Sequence, residues 1–178
     1  MHFDLGSARL RKPEPSDADA LYVQKNDPEV AAMLGGFTKG YTRADLARWV
    51  EAHAQAKDEA LYVITDANDR CLGHVGLYKI DHRARSAEFA ILLGDKGAWG
   101  AGIGRACTSF MLRFGFEELH LHRIYLEVLE SNARARRLYE SLGFQHEGKL
   151  RHAQWKGGRW LDVHVMGILD DEWRTHAR

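Results

Sequence analysis

Three glycines at alternate positions lie between an apolar strand-like run and a helix-like run. The stretch reads Trp99-Gly100-Ala101-Gly102-Ile103-Gly104. Its glycines leave the turn almost free of side chains, so its backbone N–H groups and the positive end of the following helix dipole can hold a phosphate or pyrophosphate. A strand-to-helix corner also uses glycine for tight packing. The stretch therefore indicates two alternatives, an anion cradle or a packing corner.

Two other phosphate-binding motifs do not fit this turn. A Walker A loop has the right spacing between Gly97 and Gly102, but Ile103 stands where the motif needs lysine. A dinucleotide fingerprint can use Gly100 and Gly102, but its third glycine position holds Arg105. The turn also follows several strands instead of opening a βαβ unit. Nucleoside triphosphate hydrolysis and a Rossmann domain are therefore disfavoured.

A second motif lies downstream, where residues 132–144 read N-x-x-A-x-x-L-Y-x-x-x-G-F. Together with the strand over 87–93 and the glycine turn, it resembles the GCN5-related N-acetyltransferase (GNAT) superfamily. The tail segments 147–151 and 166–169 are similar to the ending of its RimJ/RimL-like branch. One departure is visible, because Trp99 occupies the first position of the superfamily's Q/R-x-x-G-x-G/A turn. That change removes a side-chain contributor and leaves the backbone amides.

The resemblance implies acetyl-CoA as co-substrate, a primary amine as acceptor and direct transfer in a ternary complex, without a metal. Cys71 and Cys107 lie outside the motif positions, which disfavours an acyl-cysteine intermediate. The backbone of residues 89–93 is expected to pair with the pantetheine arm and to supply an N–H to the thioester oxygen. The side chains of Arg134, Arg136 and Arg137 are further candidates for the CoA phosphates, and the alternative for each arginine is a place on a solvated helix face. The predicted donor-binding residues are Ile91, Leu92, Leu93, Trp99, Gly100, Ala101, Gly102, Ile103, Gly104, Arg105, Asn132 and Tyr139.

Two residues are predicted to be catalytic. By resemblance, the Tyr139 phenol lies near the CoA sulfur, where it could donate a proton or a hydrogen bond to the departing thiolate. Its alternative role is packing in the apolar stripe of its helix. Glu88 interrupts an apolar strand and could receive the amine proton directly or through water. Its alternatives are a charged residue at the solvated entry of a strand, or a group that only binds the acceptor.

Similar proteins acetylate three classes of acceptor: protein N-terminal amines, amino sugars and polyamines. A polyamine site needs several carboxylates, whereas residues 35–41, which are expected to overlie the acceptor, contain none. The sequence therefore favours a protein N-terminus or a small amine such as an amino sugar. A polyamine acetyltransferase and a catalytically silent acyl-CoA-binding module are the alternatives.

The elements that must position these residues follow from periodicity and turn signals. They predict a single α/β domain over residues 1–178, for which the resemblance implies an α+β arrangement: a central mixed, mostly antiparallel sheet flanked by helices. The apolar run 87–93 predicts a strand buried on both faces. Ser16, Thr42 and Asn132 are predicted helix N-caps, and Gly143 is predicted to end its helix in the left-handed conformation. Strands are predicted over 8–12, 61–65, 71–78, 87–93, 124–128, 144–147 and 161–169, and helices after Ser16, over 28–34, after Thr42, after the glycine turn and over 132–142.

Composition excludes several classes of protein. The 178 residues contain 25 basic (Lys and Arg) and 25 acidic side chains, so the protein has no net positive charge that would attract nucleic acid or an anionic membrane. No apolar window approaches about 18 residues, and two cysteines with neither CxxC nor metal-ligand spacing suit a reducing compartment. We therefore expect a cytoplasmic protein without nucleic-acid or membrane partners, with a homodimer left open. His120 and His122 are expected to be solvated or capping side chains and not zinc ligands.

Overall fold

The strands form one eight-stranded sheet in the order β1-β2-β3-β4-β5-β6-β8-β7. The structure is a computed structural model that describes residues 2–36 and 39–176. The strands are β1 (His2–Asp4), β2 (Arg9–Arg11), β3 (Ala60–Thr65), β4 (Cys71–Asp81), β5 (Ser86–Leu93), β6 (Arg123–Leu129), β7 (Gln145–Lys156) and β8 (Arg159–Leu169). The helices are α1 (Asp17–Asn26), α2 (Pro28–Met33), α3 (Arg43–Gln55), α4 (Ile103–Arg113), α5 (Ala133–Glu140) and α6 (Asp170–His176).

Helices cover both faces of the sheet. On one face, α4 packs Cys107 and Met111 into a core that also contains Phe89 of β5 and Tyr139 of α5. On the other face, helices α1, α2 and α3 pack Leu21, Val30, Leu46 and Val50 against Leu92 and other residues of the sheet. The predicted mixed sheet flanked by helices is therefore confirmed.

The pair β5–β6 is the parallel pair of the sheet, and the other neighbouring strands are antiparallel. A parallel pair needs a crossover, which α4 and the π-helical turn Phe114–Glu118 supply. The ladder between β5 and β6 joins residues 86–88 to 123–125. Beyond Glu88 the two strands diverge, so backbone groups of residues 89–93 on that edge face an open cleft.

The divergence corrects the expectation that residues 87–93 are buried on both faces. Ala87, Phe89 and Leu92 are buried, but Ala90 is exposed and Ile91 is half-buried. The apolar run is therefore a misleading signal, because β4 pairs with it along one edge while part of its other edge borders the cleft.

Local capping is mostly as predicted. Thr42 forms a capping box with Asp45, and Asn132 accepts a hydrogen bond from the Ala135 N–H. Gly143 has φ +96°, which confirms the predicted left-handed conformation after the helix. Ser16 lies at the predicted N-cap position of α1, but its side chain forms no capping hydrogen bond.

A buried carboxylate beside Ser16 organises this corner instead. Asp17 accepts the Glu14 N–H at 2.7 Å and two hydrogen bonds from Arg11 at 2.8 Å each. The Arg11–Asp17 pair fastens the start of α1 to β2.

Three features of the fold lie beyond the sequence patterns. Strand β1 and helix α6 are short and mostly polar, so neither shows a clear apolar period. Strand β7 runs well past the predicted 144–147 segment, although most of its side chains are exposed or half-buried. It is held by backbone pairing with β8, which an apolar period does not report. Within the described ranges, no helix is long and apolar enough to cross a membrane.

Candidate active site

The cleft between β5 and β6 has a volume of about 500 Å³ and is closed at its sides by α2, α4 and α5. This size is typical of small-molecule and cofactor sites. Ala101 lies in the glycine turn but does not line the cleft, whereas the other predicted donor-binding residues do. They are Ile91, Leu92, Leu93, Trp99, Gly100, Gly102, Ile103, Gly104, Arg105, Asn132 and Tyr139.

The glycine turn has the conformation that an anion cradle needs. Gly100 has φ +86° and Gly102 has φ +80°, a backbone region that glycine enters without strain. A Cβ on Gly102 would meet no atom within 4 Å, so tight packing does not explain the glycine there. Gly102 is also the N-cap of α4 and provides no side-chain acceptor, so the first N–H groups of the helix keep their capacity for an anion.

Two of the four candidate arginines border this turn. Arg134 lines the cleft, and its Nη2 would lie 3.9 Å from a Cβ on Gly100. Arg105 also lines the cleft and donates to the Ser141 hydroxyl of the α5 C-terminus. Arg136 contacts His164 Nε2 at 3.0 Å, and neither Arg136 nor Arg137 lines the cleft. Arg105 and Arg134 are therefore the side chains best placed for the CoA phosphates.

Trp99 has a structural role that its position in the motif does not reveal. Its indole Nε1 donates to the Leu93 carbonyl at 2.7 Å, which ties the end of β5 to the start of the glycine turn. The indole thus fixes the turn where the superfamily pattern has Gln or Arg.

Asn132 joins two walls of the cleft. Its Oδ1 accepts the Ala135 N–H at 3.2 Å, and its Nδ2 donates to the Met33 carbonyl at 3.4 Å. The first bond caps α5 and the second holds the end of α2 against it. Asn132 therefore combines the predicted capping role with a place in the cleft wall.

Tyr139 lies in the cleft wall as well as in the core. It is 7% exposed, and its ring contacts Phe89 at 6.0 Å and Phe144 at 5.7 Å between centroids. Burial raises the pKa of the Tyr139 phenol to about 12. The phenol therefore stays protonated at neutral pH, as a proton or hydrogen-bond donor must.

Glu88 is the last residue of β5 that pairs with β6, and the two strands part after it. Its side chain is 24% exposed and its Oε2 lies 2.6 Å from Lys79 Nζ. That contact raises the pKa of the Lys79 ammonium. Glu88 is thus a carboxylate at the mouth of the cleft that already holds one ammonium group.

Glu127 of β6 is a cleft residue that the sequence reasoning missed. It lies two positions after Tyr125, which pairs with Glu88, so Glu88 and Glu127 project from the same face of the sheet. The available signal was the alternation of Tyr125 and Glu127 with apolar residues along the strand. The cleft therefore has two carboxylates on one side.

The cysteines stand apart from this site. Cys71 and Cys107 are buried free thiols that do not line the cleft. Burial is the largest cause that raises the pKa of Cys71 to about 11 and that of Cys107 to about 12. Neither thiol is a nucleophile at neutral pH, in agreement with direct transfer. Among residues 2–36 and 39–176, no group of three or more potential ligands is arranged for a metal ion, and this includes His120 and His122.

Gly104→Ala tests the anion cradle without straining the fold. A Cβ on Gly104 would meet only Leu138 Cδ2 at 3.5 Å, an ordinary contact, and alanine is favoured over glycine in a helix. We expect the thermal midpoint to be unchanged or raised, while CoA affinity falls about tenfold because the methyl group intrudes on the phosphates. Calorimetric titration with CoA measures this.

The matched control for this prediction is Gly148→Ala, since a Cβ there meets nothing within 4 Å and the residue lies outside the cleft. Equal CoA affinity in the Gly104→Ala and Gly148→Ala variants would contradict close approach of the ligand to the turn.

Comparisons with known proteins agree with this geometry. Residues 8–145 match the model of the acetyltransferase (GNAT) domain. The chain is 33% identical over 169 residues to a spermidine N(1)-acetyltransferase of Vibrio cholerae, covering 94% of this chain and 96% of the relative. It is 30% identical over 167 residues to an uncharacterised N-acetyltransferase, p20, of Bacillus licheniformis, covering 92% of this chain and 93% of the relative.

A solved structure shows the same fold. The spermidine N-acetyltransferase of Vibrio cholerae, crystallised in complex with CoA and spermine, superposes with a TM-score of 0.86 at 30% identity. The match covers 94% of this chain and 98% of that one. The family match over most of the chain, the fold and the geometry of the cleft lead to one conclusion. The chain belongs to the GNAT acetyltransferase family and is an N-acetyltransferase that uses acetyl-CoA.

Proposed function

We propose that the acceptor is a polyamine of the spermidine class, acetylated on a primary amine. The observation that carries this proposal is the pair of carboxylates, Glu88 and Glu127, at the mouth of the donor cleft. Two like charges on one face suit an acceptor with distributed positive charge. The similarity to spermidine N-acetyltransferases supports the same class of acceptor.

This proposal reverses the order of acceptors favoured by the sequence. That order relied on the lack of carboxylates in residues 35–41, of which Phe37 and Thr38 lie outside the described residues. The negative charge comes instead from two strands that are distant in sequence from that segment. A protein N-terminus or an amino sugar as acceptor, and membership of the RimJ/RimL-like branch, stay predictions without similar support.

The residues divide the chemistry among them. The glycine turn, Arg105 and Arg134 would hold the CoA phosphates, and backbone groups of residues 89–93 would hold the pantetheine arm. Glu88 accepts the proton that the attacking amine loses as its nitrogen forms a bond to the acetyl carbon. The carbon–sulfur bond breaks, and the Tyr139 hydroxyl donates to the departing sulfur. A preorganised N–H in the cleft wall stabilises the negative charge on the acetyl oxygen.

Lys79→Met is expected to improve the use of a cationic acceptor. Lys79 Nζ lies 2.6 Å from Glu88 Oε2. It therefore occupies the position where an acceptor amine would otherwise bind. Its side chain is 73% exposed, so removing it should cost little stability. We expect KM for spermidine to fall by up to about fivefold, since an exposed ion pair is worth about 0.2–1 kcal/mol. Steady-state kinetics at low salt measures this.

The matched control for Lys79→Met is Lys149→Met. Lys149 is also an exposed lysine in an ion pair, with its Nζ 2.6 Å from Asp162 Oδ2. Its KM for spermidine should stay unchanged. A higher KM in the Lys79→Met variant would mean that Lys79 assists acceptor binding instead of competing for Glu88.

Competition among acceptors tests the proposed function. The enzyme is given acetyl-CoA with equal concentrations of spermidine, a peptide with a free N-terminus and glucosamine, and the products are weighed by mass spectrometry. Acetylspermidine should dominate. Dominance of the acetylated peptide or sugar would contradict the polyamine proposal. CoA binding without thiol release for every acceptor would support the silent binding module.

A further inference from the structure

A second cavity of about 290 Å³ adjoins the donor cleft. The two spaces share Leu34 and residues 90–92, so β5 contributes to both. Its polar lining comes from elements distant in sequence: Lys25 of α1, Tyr41 before α3, His74 of β4 and Lys156 of β7. Neither the transfer chemistry nor the acceptor proposal uses these side chains.

The lining is cationic. It includes two lysines and no Asp or Glu. The Lys25 ammonium lies 4.0 Å from the centroid of the Trp49 ring and 5.7 Å from that of Tyr41. Among the ion pairs of the described chain, none joins Lys25 to a carboxylate. Burial lowers the pKa of Lys25 to about 8, which reflects an ammonium group removed from water without a counter-ion.

His74 provides a second, independent observation. It is 8% exposed, and its Nδ1 lies 3.3 Å from the Tyr78 hydroxyl. Burial raises the pKa of Tyr78 and keeps its hydroxyl protonated, and when that hydroxyl donates to Nδ1 the ring proton lies on Nε2. In the described part of the chain, Nε2 is buried without a hydrogen-bond partner. The wall therefore contains a buried donor whose hydrogen bond the protein itself does not satisfy.

We propose that this cavity binds a small oxyanion, a carboxylate or a phosphate group, with Lys25 and Lys156 as its cationic contacts and His74 as a further donor. The site differs from the phosphate cradle of the donor cleft, because its cationic groups are the side-chain ammonium groups of two lysines and not glycine amides. A polyamine is disfavoured there by two like charges. Gly35 and Tyr41, of the segment expected to overlie the acceptor, also line this cavity, but the oxyanion proposal rests on the two lysines and His74 and not on which amine accepts the acetyl group.

Binding of small anions to the CoA-saturated enzyme tests this site. Saturation with CoA fills the glycine turn, so any further anion must bind elsewhere. Inorganic phosphate and succinate are titrated separately by calorimetry at constant ionic strength, and spermidine serves as the probe of opposite charge. We expect saturable binding of one oxyanion below about 10 mM, weakened at least tenfold by Lys25→Gln. Lys156→Gln provides a second variant should the first fold poorly.

Lys12→Gln is the matched control. Lys12 Nζ also lies over an aromatic ring, 5.0 Å from the centroid of Tyr62, but Lys12 lines neither the donor cleft nor the second cavity. It should bind the oxyanion like the unmodified enzyme. No saturable binding of either oxyanion, or equal binding in the Lys25→Gln and Lys12→Gln variants, would overturn the proposal. Because the readout is binding, failure of this site would leave the identity of the acceptor untouched.

Discussion

Tyr139→Phe is expected to lower turnover by about 10²- to 10⁴-fold, the usual contribution of a positioned acid or base. The change removes one hydroxyl and keeps the ring contacts with Phe89 and Phe144. CoA affinity should therefore change little, because the phosphates and the pantetheine arm contact other residues. Thiol release under saturating substrates measures turnover, and calorimetry measures CoA affinity.

Tyr62→Phe is the matched control for this loss. Tyr62 is 6% exposed and Tyr139 is 7% exposed, but Tyr62 lies on β3 away from the cleft. The two variants should lose similar stability, whereas only Tyr139→Phe should lose turnover. Unchanged turnover in Tyr139→Phe would leave Tyr139 as a packing residue of its helix.

Glu88→Gln is expected to lower kcat by about 100-fold and to raise KM by no more than about fivefold. The amide keeps the shape of the side chain and can still accept a hydrogen bond from Lys79, but it does not take up the amine proton. The split between kcat and KM decides between the two roles that the sequence leaves open for Glu88. Steady-state kinetics with spermidine as the varied substrate measures both constants.

Glu127→Gln is the comparison for this carboxylate. Glu127 lies on the same face but on β6, past the point where the strands part. Its loss should raise KM for spermidine and leave kcat nearly unchanged. If Glu88→Gln behaves in the same way, with normal kcat, Glu88 only binds the acceptor and another group or water takes the proton.

Local signals in the sequence predict much of the donor side. The glycine turn, the apolar stripe of α4 and the Asn132 cap each depend on residues a few positions apart, and the structure has all three. The open space around Gly102, where a Cβ would meet no atom within 4 Å, favours an anion cradle over a packing corner. That choice could not be made from the sequence, because both alternatives use the same residues.

The acceptor side depends on relations that no local pattern records. Hydrophobic periodicity reports burial, so it could not reveal that β5 and β6 part after Glu88 or that Ala90 is exposed. Glu127 joins Glu88 only through that parallel pairing. The lack of carboxylates in residues 35–41 is therefore a misleading signal, because the strands provide the negative charge.

A structure of the enzyme with CoA and spermine tests the central claim most directly. We predict the pyrophosphate on the backbone amides of residues 100–104, the CoA sulfur within hydrogen-bond distance of the Tyr139 hydroxyl, and a primary amine of spermine at Glu88. Spermine in the cationic second cavity, or a CoA sulfur remote from Tyr139, would contradict the account.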